Sequence, residues 1–143
     1  MLRVTVLCLL VATTTALLGF GDKQAAAAKG KLLCNGEPLE NIRIKLYEKE
    51  LTFDVKMGET TTNSDGEFEV SGWKTEYSKI EPKVNIYHRC GFTGMLSSTC
   101  YKKFSIYIPT NFINVGETAE RVFDIGTLNM AGKFSGESID CFN

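Results

Sequence analysis

Apolar and polar residues alternate with period two in several short runs, the pattern of strands that bury one face. Two runs near the middle carry it best: Val84-Asn-Ile-Tyr-His-Arg-Cys90 and Cys100-Tyr-Lys-Lys-Phe-Ser-Ile-Tyr-Ile108. Val84, Ile86, His88 and Cys90 share a face of the first, and Cys100, Phe104, Ile106 and Ile108 share a face of the second. Ile42, Ile44 and Leu46 alternate with Arg43, Lys45 and Tyr47, which are expected to face out. Further strands are expected over Gly30–Cys34, Glu67–Val70, Ile80–Cys90 and Val122–Met130. Asn35-Gly36-Glu37-Pro38 and Asn63-Ser64-Asp65-Gly66 read as turns, because glycine accepts positive φ and Asn and Asp bond their own backbone. Pro109 stops the strand before it, Thr110–Gly116 reads as a short helical turn, and Ala131–Asn143 reads as a tail. Strands at this spacing, with no long helical run between them, predict an all-β sandwich.

The N-terminus has a different character. Met1-Leu2-Arg3 is a short basic start, Val4–Val11 is apolar, and Thr14-Thr15-Ala16 supplies small residues. That order predicts a signal peptide over residues 1–16, so the protein is expected to be secreted and extracellular. Residues 17–28, with the run Gln24-Ala-Ala-Ala-Ala28, read as a leader, and residues 29–143 as one domain.

Loss of the signal removes Cys8 and leaves Cys34, Cys90, Cys100 and Cys141. Four cysteines in an oxidising compartment imply two disulfides, with three connectivities open. The shared phase of Cys90 and Cys100 on neighbouring strands favours a Cys90–Cys100 staple, which leaves Cys34–Cys141. Lys and Arg total 16 against 17 Asp and Glu, for a formal charge of −1. That balance lacks the basic excess of a nucleic-acid binder, so no nucleic-acid partner is expected.

Lys31-Leu-Leu-Cys-Asn-Gly-Glu-Pro-Leu-Glu-Asn-Ile-Arg-Ile-Lys-Leu-Tyr47 and Thr62-Asn-Ser-Asp-Gly-Glu-Phe68 resemble the opening of transthyretin-like sandwiches. Val84–Cys90, Lys103-Phe-Ser-Ile-Tyr-Ile-Pro109 and Asp124-Ile-Gly-Thr-Leu-Asn-Met-Ala-Gly-Lys-Phe-Ser-Gly-Glu137 narrow this. They resemble the nematode transthyretin-like family of secreted proteins. The resemblance implies a transthyretin-like (prealbumin-like) β-sandwich of seven or eight strands and extracellular residence. It also implies a role as a ligand or adaptor at cell surfaces, with no cofactor and no assigned catalysis.

His88 is the only histidine. The related hydroxyisourate hydrolases use two histidines, an arginine and a Tyr-Arg-Gly-Ser-like terminus, whereas this chain ends Ile-Asp-Cys-Phe-Asn. His88 on the Val84/Ile86 face therefore reads as structural, with metal contact and general-base catalysis as the other readings. A metal site of His88, Cys90 and Cys100 competes with disulfide formation, which an oxidising compartment favours. Asn63–Glu67 holds oxygen ligands but not the twelve-residue calcium-loop pattern, so it reads as a hairpin turn.

Gly91-Phe-Thr-Gly-Met-Leu-Ser-Ser-Thr99 is uncharged and offers Phe92, Met95 and Leu96. Either these side chains fold back over the end of the sandwich, or they form a contact with a protein or a membrane surface. Trp73 poses the same question. The leading expectation is a non-enzymatic binding protein for a protein receptor or cell-surface component. A carrier of a small hydrophobic molecule is the alternative, and a hydrolase the third reading.

Overall fold

The computed structural model describes residues 21–143, so the signal-peptide reading of residues 1–16 lies outside the described residues. Among the described residues ten strands form two five-stranded sheets. Seven of them, β1 (Asp22–Cys34), β3 (Arg43–Glu48), β4 (Val55–Thr61), β5 (Glu67–Glu76), β6 (Pro82–His88), β7 (Tyr101–Tyr107) and β9 (Val122–Asn129), have six residues or more. The other three, β2 (Glu37–Pro38), β8 (Asn114–Val115) and β10 (Ser138–Asp140), have two or three. Against the seven or eight strands expected, seven are long, and the three further ones are pairings of only two or three residues.

In the first sheet β1 is central. β5 runs antiparallel along one side of it, while β9 runs parallel and β8 antiparallel along the other. β2 returns on β1 through the two residues Asn35 and Gly36, both at positive φ (51° and 87°). This is the turn type that matches strand twist. The second sheet is antiparallel throughout, in the order β10-β7-β6-β3-β4. Between the sheets Ile44, Leu46, Val84 and Ile86 pack against Ala26, Ala28, Leu32, Phe68 and Val70. The short helical turn expected after Pro109 forms at Thr110–Phe112.

Residues 22–28 are not a leader. They are the first half of β1, and Ala25–Ala28 are buried. Alanine has weak strand propensity, which is why the run reads as filler. Here its small size suits the position: β1 has a strand on both sides, and larger neighbours on the adjoining strands bury all four alanines.

The expected hairpin register is correct, but the expected disulfides are not. Val84 lies opposite Ile106, Ile86 opposite Phe104, and His88 opposite Lys102, which continues towards Cys90 opposite Cys100. The ladder stops at His88, however. The Phe92 amide donates to the Arg89 carbonyl at 3.0 Å, and Gly91 takes φ +66°, so Cys90 sits in a turn. Cys90 bonds Cys34, at the end of the facing β1. Cys100 has a second neighbour, because β10 pairs with β7 and sets Asp140 opposite Tyr101. The next pair outward is Cys100–Cys141, which forms the other disulfide with a Cα–Cα distance of 4.2 Å. One bridge ties the two sheets together; the other fastens the last strand.

At the edge where β4 and β5 approach each other, Gly58 faces the Ser71 carbonyl and Gly72 faces that of Met57. A Cβ at either position would collide with backbone, so glycine sets the distance between the two sheets here.

Candidate functional site

The two disulfides converge on one end of the sandwich and hold the 91–99 loop at both feet. Its tip is one short turn, Met95–Ser98. The Ser97 amide and hydroxyl donate to the Gly94 carbonyl at 3.2 and 2.7 Å, and the Thr99 and Cys100 amides donate to that of Leu96 at 3.1 and 2.8 Å. Gly94 takes φ +102°, which favours glycine. The turn points Met95 into solvent (94% exposed) and leaves Leu96 half exposed (50%). Phe92 is half-buried. The fold-back reading thus describes Phe92 in part and neither of the other two.

Sequence reasoning missed two residues here. Cys141 is bonded to Cys100, so Phe142, 99% exposed, is held beside the foot of the loop. Ile139, opposite Lys102 on β10, is also half exposed. Met95, Leu96, Ile139 and Phe142 therefore share this end. The signal for Phe142 was its position next to a cysteine, but it locates nothing until the partner of that cysteine is known. Trp73 does not join the group. It lies on β5 opposite Ala25, on the outer face of the first sheet, 44% exposed, with Lys23 Nζ 5.4 Å from its ring centre.

His88 is fully buried between the sheets at the same end. Its Nδ1 accepts a hydrogen bond from the Cys90 amide at 3.2 Å, so the neutral ring carries its proton on Nε2. Nε2 lies 3.8 Å from Glu137 Oε1, and neither atom has a hydrogen-bond partner. Lys102 Nζ lies 3.8 Å from the same oxygen. Burial pushes the His88 pKa down; Glu137 opposes that shift and Lys102 adds to it. In this tautomer the protonated Nε2 is not a metal ligand, and the four described cysteines are all oxidised. The ring has no exposed surface. The Asn63 turn likewise spends its oxygen on its own backbone, Oδ1 accepting from the Asp65 and Glu67 amides at 3.0 and 2.9 Å.

The opposite end is closed by charge. Lys74, on the inward face of β5, pairs with Glu48 at 2.8 Å, Glu76 at 2.6 Å, and Glu50. The three carboxylates lie within 4.8 Å of one another, and the ammonium takes the central position a cation would occupy. Burial lowers the Lys74 pKa, but hydrogen bonds to the three glutamates outweigh it and the net shift is upward. The hydrogen bond from Lys74 lowers Glu76, while burial raises Glu48 in spite of the same lysine.

A sequence profile described as TTR-52, transthyretin-like family, matches residues 29–109. Transthyretin-like protein 5 of Caenorhabditis elegans is 40% identical, covering 99% of this chain and all of that one. The chain belongs to the transthyretin-like family. Transthyretin-like protein 2 of the same organism is 35% identical over the full length of both chains, and transthyretin-like protein 33 is 38% identical over 84% of this chain and 83% of its own. The transthyretin-like frame accounts for the two sheets; the site at the disulfide-bound end is argued from this chain's own residues.

Proposed function

We propose that this transthyretin-like protein is a secreted, non-enzymatic binding protein that acts as a ligand or adaptor for a protein or cell-surface component. The observation that carries the reading is the exposure of Met95, Leu96 and Phe142 at an end held by two disulfides. Exposed apolar side chains on a braced loop keep little conformational freedom to lose on binding, and that favours recognition. Secretion is supported by the signal-like pattern of residues 1–16 and by the oxidised cysteines. A binding role without catalysis is supported by the burial of His88, the one histidine.

The test is to replace Met95, Leu96 and Phe142 with serine and to compare the oxidised parent and variant for binding to intact cells. Parent binding that falls by about tenfold or more in the variant supports the reading, as loss of a central apolar cluster should. Parent binding left unchanged by the triple substitution sinks it.

A further inference from the structure

Residues of β3, β4, β6 and β7 that alternate with the core positions form the outer face of the second sheet. That face gathers Arg43, Lys45, Lys56, Lys83 and Lys103, with Arg89 just past the end of β6. The acids that face them are Glu59, Asp54 and Asp140. Six cationic side chains meet three acidic ones on one face of a chain whose formal charge is −1, and Arg43 also donates to Asn143 Oδ1 at 2.6 Å. Tyr47, Tyr87, Tyr101 and Tyr107 are interleaved with them.

Four of the cations have acidic partners: Lys56 and Arg43 with Glu59 at 3.0 and 3.6 Å, Lys103 with Asp140 at 3.6 Å, and Lys83 with Asp54. Arg89 lies 3.9 Å over the Tyr101 ring and donates from Nε to the Cys100 carbonyl. Lys45 differs. It is only 8% exposed, its Nζ is 5.2 Å from the Tyr87 ring centre, and among the described residues it has no carboxylate in ion-pair reach and no hydrogen-bond acceptor. Glu59, directly opposite on β4, spends its oxygens on Lys56 and Arg43. The Lys45 stem is buried while its ammonium keeps access to solvent, so an incoming anion meets a cation with no carboxylate to displace. Asn85, opposite Lys45 on β6, and Tyr87 lie beside the position, both buried. Asn85 Nδ2 reaches the Tyr87 hydroxyl at 3.4 Å, with Asn85 Oδ1 fixed by Ser105 at 2.7 Å. Burial pushes the Tyr87 pKa up to about 12, so its hydroxyl keeps a proton to donate.

We propose that this face binds a sulfated polysaccharide, with one sulfate seated at Lys45 and further sulfates on Arg43, Lys56 and Lys103. A single small anion reaches only one of these groups. They lie on neighbouring strands about 4.8 Å apart and at alternate residues about 7 Å apart, which suits an extended polyanion. The exposed ring of Tyr107 offers a flat surface to sugar C–H groups. Exposed ion pairs are weak, so sulfates compete for the rim cations.

The test is titration of the oxidised protein on immobilised heparin. Retention at physiological salt that is lost as salt rises is expected. Lys45→Met should weaken binding by about tenfold or more, the worth of one charge-assisted contact. The rim pair Lys56→Gln with Lys103→Gln should do the same without touching a buried group. Lys29→Gln with Lys31→Gln, on the outer face of the first sheet, should change affinity less than about twofold. Absence of retention, an equal loss in that control pair, or equal binding to desulfated heparin would overturn the proposal. So would equal binding to anionic phospholipid vesicles or to single-stranded DNA.

Discussion

The two ends of the sandwich are closed by different means. At the 91–99 end, covalent bonds join β1 to the turn after β6 and β7 to the segment after β10. At the other end, one ammonium holds three carboxylates between β3, β5 and the residue Glu50. The first closure is indifferent to salt and responds to reductant; the second is indifferent to reductant and responds to salt and acid. The exposed residues of the proposed contact, Met95, Leu96 and Phe142, are all at the covalent end. An extended apolar loop gains no hydrophobic stabilisation of its own, so its position depends on the bonds at its feet.

Several experiments would break or sharpen this contrast. The largest effect is expected on removing a bridge. Cys34→Ser with Cys90→Ser opens a 56-residue separation and should cost about 4 kcal/mol by loop entropy, read from urea unfolding. A loss much smaller than that would mean the sheets are held mainly by the core. Next is Lys74→Met, which leaves three carboxylates facing one another and should cost about 2–3 kcal/mol, less than a fully buried pair because the cluster is partly open. Adding Glu48→Gln to that variant should recover part of the loss. No recovery would show that repulsion is not the cause.

Acid separates the ends further. The His88 pKa is lowered from 6.5 by burial, so as pH falls through that value the unfolded chain takes up a proton that the folded chain does not. Stability should therefore fall on acidification from about pH 7.5 to about pH 5.5. His88→Asn, which offers an acceptor where Nδ1 lies, should flatten that slope; a slope equal to the parent's would acquit His88. At the ion-pair end Glu76 is lowered from 4.5, so its contribution is present above that value and is lost as pH falls through its lower folded pKa. Glu48, raised by burial, acts in the opposite sense. The smallest effect belongs to the proposed contact itself. Met95→Ser with Leu96→Ser should change stability by under about 0.5 kcal/mol, because neither side chain packs against the core. A larger loss by thermal unfolding would mean that the loop is structural.

How much of this was legible follows from where each signal lives. Alternation within a strand is local, so Ile44/Leu46 and Val84/Ile86 could be placed on the inner face directly. The turn at Asn63–Gly66 could be placed too, because its chemistry lies in four adjacent residues. Even the register of β6 on β7 was readable from Cys90 and Cys100. The pairing of those cysteines was not, since each strand has a further neighbour that no local pattern declares. β10 is three residues in an apparent tail, and β1 begins in an alanine run with little strand preference of its own. Lys74 was equally silent. A lysine at an inward position announces itself only when Glu48 and Glu50, from another part of the chain, are brought to it.

The sequence by itself determined the sandwich, its family and the uncharged loop, because period-two burial, turn residues and a contiguous apolar segment are properties of neighbouring residues. Tertiary structure alone decided which cysteines bond and that Phe142 stands beside Met95's loop. It also decided that six cations share a face in a chain of nearly balanced charge. Those facts depend on which strands lie side by side, and strand neighbourhood is set by the packing of the whole core.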